Sequence, residues 1–163
     1  MNEIYRAFDK MIEFDAGDAS RIQHFIKVYC YSHMIGIKEK LDDKTQVVLD
    51  LAAIVHDIGI LPAEKKYGYQ TGKLQEEIGP AFAGKLLEEI NVEESTIKRV
   101  EFLVAHHHTY EGVDSIDWQI LLEADFLVNS FEKNMSADTI RNTMHELFKT
   151  NAGIQLCKRM YVL

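Results

Sequence analysis

A chain of 163 residues, 47% of them apolar and only two of them proline, is long enough to bury one substantial core and is composed like a single globular domain. Its formal charge of -8 opposes broad adhesion to nucleic acid or to an anionic membrane, so an anionic ligand must be drawn by a local field. No apolar run approaches the roughly 20 residues that cross a bilayer, and Asp9, Glu13 and Asp15 leave no signal-peptide core near Met1, so the expected location is the cytoplasm with no membrane partner.

In chain order the pattern is helix after helix. Ile4, Phe8 and Met11/Ile12 recur at the spacing of one helix face, and the stretch 15–18 (DAGD) breaks that helix. A second helix covers about 19–40. Asp43 followed by Gln46 has the form of a capping box and opens a third, through Val47, Val48, Leu51, Ala52 and Val55 to His56-Asp57, with Gly59 and Pro62 as stops. Residues 60–73 (ILPAEKKYGYQTGK) keep no period and read as a long loop, a feature that is often functional in a compact domain. Ile78, Phe82, Leu86 and Ile90 mark a fourth helix. Ile97, Val100 and Leu103/Val104 mark a fifth that runs into His106-His107-His108. A turn at 109–115 leads to a sixth helix over about 116–130, and Ser136 caps a seventh that starts near Ala137. No strand-period segment and no internal repeat interrupts the series, so the expected class is all-α, a compact bundle of about six to eight helices.

The chemistry gathers at His56-Asp57, where an acidic residue ends an apolar helix although the macrodipole there disfavours it. Two distant residues lie on stripes of equal apolarity. His24 heads His24, Val28, Tyr31 and Ile35, and Asp125 falls among Leu121, Leu122 and Val128. An unpaired carboxylate on such a face is costly to bury, and no basic residue stands near Asp125 on its own helix. His24 alone also reads as a core histidine bonded to a carbonyl. Two imidazoles and two carboxylates converging from three helices are better explained by a shared metal ion that offsets their desolvation. Cys30 and Cys157 are too few and too widely spaced to be ligands. In the triple-histidine run, neighbours on a helix point about 100° apart and cannot all face one ion. The stripe through Val100 and Leu103/Val104 favours His107 and His108 and turns His106 outward. Lys65, Lys66 and Lys73 sit in the loop read at 60–73, placed to clamp a phosphate near the His-Asp pair.

The ordered blocks 18–24 (DASRIQH), 52–59 (AAIVHDIG), 79–87 (GPAFAGKLL), 105–109 (AHHHT) and 121–128 (LLEADFLV) resemble the HD-domain metal-dependent phosphohydrolases, whose pattern is a histidine, then His-Asp, then a distal aspartate. The resemblance spans most of the chain and implies one HD domain over 1–163. Its metal-binding core covers about 18–130, with C-terminal helices in 136–163 packed on it. It implies His24, His56, Asp57 and Asp125 as ligands. In two-metal relatives a histidine precedes the glycine equivalent to Gly79 by four residues. Here that position is Gln75, followed by Glu76 and Glu77, so one ion is expected, with a second or the substrate held by His107, His108 and Gln75.

An octahedral or five-coordinate divalent ion in that set leaves positions open for a water and a phosphate oxygen. Mixed nitrogen and oxygen donors suit manganese, iron, cobalt, nickel or zinc without choosing among them. Asp57 is the expected catalytic residue, assisted by Glu76 or Glu77 as general base, with Lys66, Lys73 or Arg21 on the phosphate. The expected reaction is hydrolysis of a small phosphate ester, preferably a nucleotide, because one small helical domain offers a pocket and no extended nucleic-acid groove. The alternatives are a metal-binding regulatory module with little turnover and a dinuclear iron oxygenase of the same fold; a homodimer is compatible with either.

Overall fold

Polar caps and buried apolar runs divide residues 2–163, those described by the computed structural model, into nine helices. They are α1 (Glu3–Phe14), α2 (Ala19–Lys38), α3 (Asp43–Val55), α4 (Ile60–Tyr67), α5 (Gly72–Glu89), α6 (Glu94–Val104), α7 (Ile116–Glu132), α8 (Ala137–Leu147) and α9 (Asn151–Tyr161). No strand occurs among the described residues, and the architecture is the expected all-α bundle.

Starts are set by side chains that accept from backbone N–H groups two or three residues into the helix. Asp18 accepts from Arg21 N at 3.0 Å, Thr71 from Leu74 N at 3.2 Å and Ser136 from Thr139 N at 3.2 Å. The expected box at Asp43 is displaced by one residue. Asp42 is the cap, accepting from Thr45 N at 3.0 Å, while Gln46 turns inward and donates to Asp50 Oδ1 at 2.8 Å.

The loop expected over 60–73 is largely helical. Its glycine signals belong to boundaries: Gly68, at φ +79°, ends α4 in the left-handed region that glycine tolerates best, and Thr71 immediately caps α5. α4 then packs on α5.

The innermost elements are α3 and α7. Leu49, Leu51, Ala52, Ala53, Ile54 and Val55 are completely buried on α3, and every residue of α7 from Asp117 to Asp125 is buried, the polar Asp117, Gln119, Glu123 and Asp125 included. α2 packs on both, α6 lies on the far side of α3 and against α5, and α9 covers α7 and α2. By length and apolarity the stretch Asp43–Tyr67 qualifies to cross a membrane, contrary to the run-length reading, and 72% of its most apolar window is buried inside the bundle.

Two glycines let α5 approach the turn after α3. A Cβ on Gly59 would stand 2.8 Å from Gln75 O, and one on Gly79 would stand 2.8 Å from Val104 Cγ1. This contact presses the His56-Asp57 turn against α5 and the end of α6. Further along the bundle, the buried Glu123 carboxylate anchors α9, accepting from Lys149 N at 2.7 Å, Thr150 N at 2.9 Å and Gln119 Nε2 at 2.8 Å.

Candidate metal centre

Three core helices bring the first four donors together. His24 projects from α2, His56 and Asp57 follow α3, and Asp125 lies on α7. His24 Nε2 stands 3.3 Å from His56 Nε2, 3.4 Å from Asp57 Oδ2 and 3.1 Å from Asp125 Oδ1. His56 Nε2 is 3.5 Å from both Asp57 Oδ2 and Asp125 Oδ1. Atoms held about 2.1 Å from one ion lie roughly 3.0 Å apart at right angles and roughly 3.4 Å apart at the tetrahedral angle, so these separations fit a common centre.

Hydrogen bonds behind the rings orient them. His56 Nδ1 donates to Ala53 O at 2.8 Å and His24 Nδ1 to Glu132 Oε2 at 2.8 Å, which leaves each Nε2 lone pair pointing inward. Asn129 Nδ2 steadies Asp125 Oδ1 at 2.8 Å, and Lys27 steadies Glu132 at 2.7 Å. Two imidazole lone pairs facing each other at 3.3 Å need a positive charge between them. Without an ion, protons take that place. Burial pushes His56 down, but the charges of Asp57 and Asp125 outweigh it and raise it to about 9. Burial also acts to raise Asp57 and Asp125, yet the neighbouring histidines hold both well below the usual carboxylate range. The donor set therefore fits a cation.

A second group shares Asp57. His107, completely buried, donates from Nδ1 to Val104 O at 2.7 Å and turns Nε2 to 3.3 Å from Asp57 Oδ1 and 3.2 Å from Gln75 Oε1. His108 Nε2 lies 2.6 Å from the same Gln75 oxygen, and burial, then the neighbouring His107, lowers its pKa to about 4. The triad Asp57, His107 and His108 can hold an ion of its own, as can His24, His56 and Asp57. His106 points elsewhere, donating to Phe102 O at 2.7 Å with its ring between Phe102 and Trp118.

A cavity of about 240 Å³ opens over the centre, lined by Asp15, Arg21, Gln70, Asn129, Glu132 and Lys133 beside the donors. Several residues expected here lie outside it. Lys66 belongs to α4 and packs its Nζ 4.9 Å from the Tyr67 ring centre, beside a separate groove that also takes Lys65. Lys73 is 85% exposed and leans toward Glu77 at 3.9 Å. Glu76 instead fastens the histidine turn, accepting from His108 N at 2.9 Å and Thr109 Oγ1 at 2.8 Å. Glu76, Glu77, Lys66 and Lys73, expected as base and clamp, are thus not among the residues that line this cavity. Arg21 reaches the cavity already paired with both Glu64 oxygens, at 2.7 and 2.6 Å.

The sequence pattern assigns no site role to Asp15, Asn129, Glu132 or Lys133. Asn129, Glu132 and Lys133 follow Asp125 by four, seven and eight residues, so the helical period that places Asp125 inward also carries them to its side. Asp15, read as a helix breaker, is pushed up to about 6 by burial against the opposing pull of Arg21. Tyr110 lies outside that lining, its hydroxyl pKa raised by burial and by the charges of Asp125 and Glu76.

The chain belongs to the HD domain family, whose model matches residues 21–139. It is similar to a predicted HD superfamily hydrolase from an uncultured Thermotogales bacterium, solved by crystallography at 1.45 Å, with a TM-score of 0.69 and 24% identity over 97% of this chain and 84% of that one. That likeness establishes the fold. No curated protein matches the chain.

Proposed function

We propose that this chain is a metal-dependent phosphohydrolase that cleaves a small phosphate ester, a nucleotide being the favoured substrate. The observation that carries the reading is the convergence of His24, His56, Asp57 and Asp125 beneath a cavity with Lys133 in its wall. A divalent ion held there, whether manganese, iron, cobalt, nickel or zinc, supplies an activated water and offsets charge on a phosphoryl oxygen. Asp57, His107 and His108 offer a second ion a place.

The chain's own groups divide the remaining work. Asp57 stays a carboxylate and orients a water proton at Oδ1, the oxygen turned away from His24 and His56. Lys133 makes no ion pair among the described residues and is free to meet the phosphate, whereas Arg21 is committed to Glu64. Asp15, with a pKa near 6, keeps enough of its proton near neutrality to deliver it to the leaving oxygen. The test is elemental analysis of purified protein followed by a metal-supplemented screen of nucleotides and sugar phosphates. Bound divalent metal with turnover of at least one ester, lost in Asp57→Ala, is the expected result. Bound metal without turnover would identify a binding module, and iron with oxygen uptake an oxygenase.

A further inference from the structure

A cavity of about 670 Å³, distinct from the one over the metal donors, is lined by Tyr110, Val113, Gln119, Phe126, Met135 and Leu147, with Glu146 and Lys149 among its remaining lining residues. No lining residue is common to the two, but residues close in the chain line both. On α7, Phe126 follows the candidate ligand Asp125, and in the turn after α6, Tyr110 lies two residues beyond His108. Lys133 lines one cavity and Met135 the other. Phe126 of one lining and Lys133 of the other, the C-cap of α7, are seven residues apart and fall on one helix face, which sets the two spaces side by side.

The lining has the chemistry of a planar ring site. Tyr110 and Phe126 supply aromatic rings and Met135 a polarisable thioether. Phe126 is braced edge-on by Phe148, with ring centres 5.8 Å apart. Gln119 adds an oriented acceptor. Its Nε2 donates to Glu123 Oε1 at 2.8 Å and to Leu147 O at 2.9 Å, so both amide hydrogens are committed and the amide cannot flip. Its Oε1 has no partner among the described residues and, unlike the sealed Oε1 of Gln46, is open to a ligand. The Glu146 carboxylate is a second acceptor in the same lining, while Lys149 Nζ is engaged with Glu146 O at 3.2 Å. Two acceptors call for a ring edge bearing N–H hydrogens.

We infer that this cavity recognises a nucleobase carrying an exocyclic amine, stacked on Tyr110 and Phe126 with the amine on Gln119 Oε1. The inference rests on the phosphohydrolase reading for the placement of the phosphate, and it narrows the substrate to adenine, guanine or cytosine nucleotides. A ring carbonyl in the amine's position would meet the lone pairs of Gln119 and Glu146.

Nucleosides without phosphate test the cavity separately from the reaction. Calorimetric titration of metal-loaded protein with adenosine, guanosine, cytidine, uridine and purine riboside is expected to give binding by at least one amine-bearing member. The preference over uridine, and for adenosine over purine riboside, is about fivefold or more, the worth of one hydrogen bond. Tyr110→Ala, at an exposed side chain, weakens that binding about tenfold through lost stacking. Gln119→Leu removes the amine preference while retaining binding; if it fails to fold, the purine riboside comparison on the native chain reads the same contact. No nucleoside binding, equal binding across the set, or uptake of decyl phosphate in place of nucleosides overturns the inference. Hydrolysis of p-nitrophenyl phosphate is followed in parallel. Turnover without nucleoside binding refutes only the base site, and nucleoside binding without turnover of any ester refutes only the phosphohydrolase reading.

Discussion

Replacing Glu132 by alanine probes the centre without touching a donor. Glu132 Oε2 accepts from His24 Nδ1 at 2.8 Å, and its other oxygen holds Lys27 at 2.7 Å. The side chain is 28% exposed, so the bond is only partly screened by solvent. A charge-assisted hydrogen bond of this kind contributes about 1.5–3 kcal/mol, and removing such a support behind a ligand weakens metal binding about ten- to a hundredfold. Glu132→Gln keeps an acceptor without the charge and should fall between the variant and the native chain. Competition against a fluorescent chelator measures the dissociation constant directly, separately from the fall in melting temperature that loss of the bond also causes in the metal-free protein. An unaltered dissociation constant in Glu132→Ala would mean that His24 is not a ligand or is oriented by something else.

His56→Ala and Asp57→Ala should each abolish metal retention by elemental analysis, while His106→Ala, which loses a ring packed on Phe102 and Trp118, should keep it. Because the donors span three helices, chelation should lower the melting temperature; metal at a hundred times its dissociation constant stabilises by about 2.7 kcal/mol, equivalent to about 5–10 °C in a domain of this size. Lys133→Ala should lower kcat/KM for phosphate esters about ten- to a hundredfold with metal content intact, and equal losses in Lys66→Ala or Lys73→Ala would refute the assignment. For Asp15, burial raises the folded-state pKa from 3.8 to about 6, so the native chain loses stability as pH rises through that interval, and Asp15→Asn should melt higher at pH 7 by the equivalent of about 1–3 kcal/mol with no gain below pH 4. A gain of equal size at both pH values would show that charge is not its cause. Gly79→Ala drives a methyl to within 2.8 Å of Val104 Cγ1 and should cost about 1–3 kcal/mol in denaturant unfolding together with weaker metal binding.

Periodicity in the sequence locates the helices that carry His24, His56-Asp57 and Asp125, because a polar residue on an apolar stripe conflicts with its surroundings and stands out. Asp15 and Lys133 lack that contrast. One sits in a turn and the other at a helix end, where charged residues are ordinary, and only the packing of α2 and α7 reveals their nearness to the site. α4 is hidden in the sequence for a related reason. It is short and partly exposed, its apolar residues too few to set up a period, and Gly68 resembles a loop signal although it ends a helix. The displaced cap at Asp42 reflects adjacent aspartates that differ only in backbone angle, which sequence does not encode locally.

The carbonyls that orient His56 and His107 belong to Ala53 and Val104, in the closing turns of α3 and α6. A helix that continued would spend those oxygens on its own backbone; here Glu76 takes the His108 N–H and helps to stop α6 where it stops. Both helices also direct their negative dipole ends toward the donors, adding attraction for a cation. The ends of these helices and the proposed metal site are thus one structural feature. Lengthening either helix by a turn, even with every proposed donor retained, would release an imidazole from its support and turn the favourable end of the helix away, so on the proposed reading the places where these two helices end are constrained as tightly as the identities of the donors.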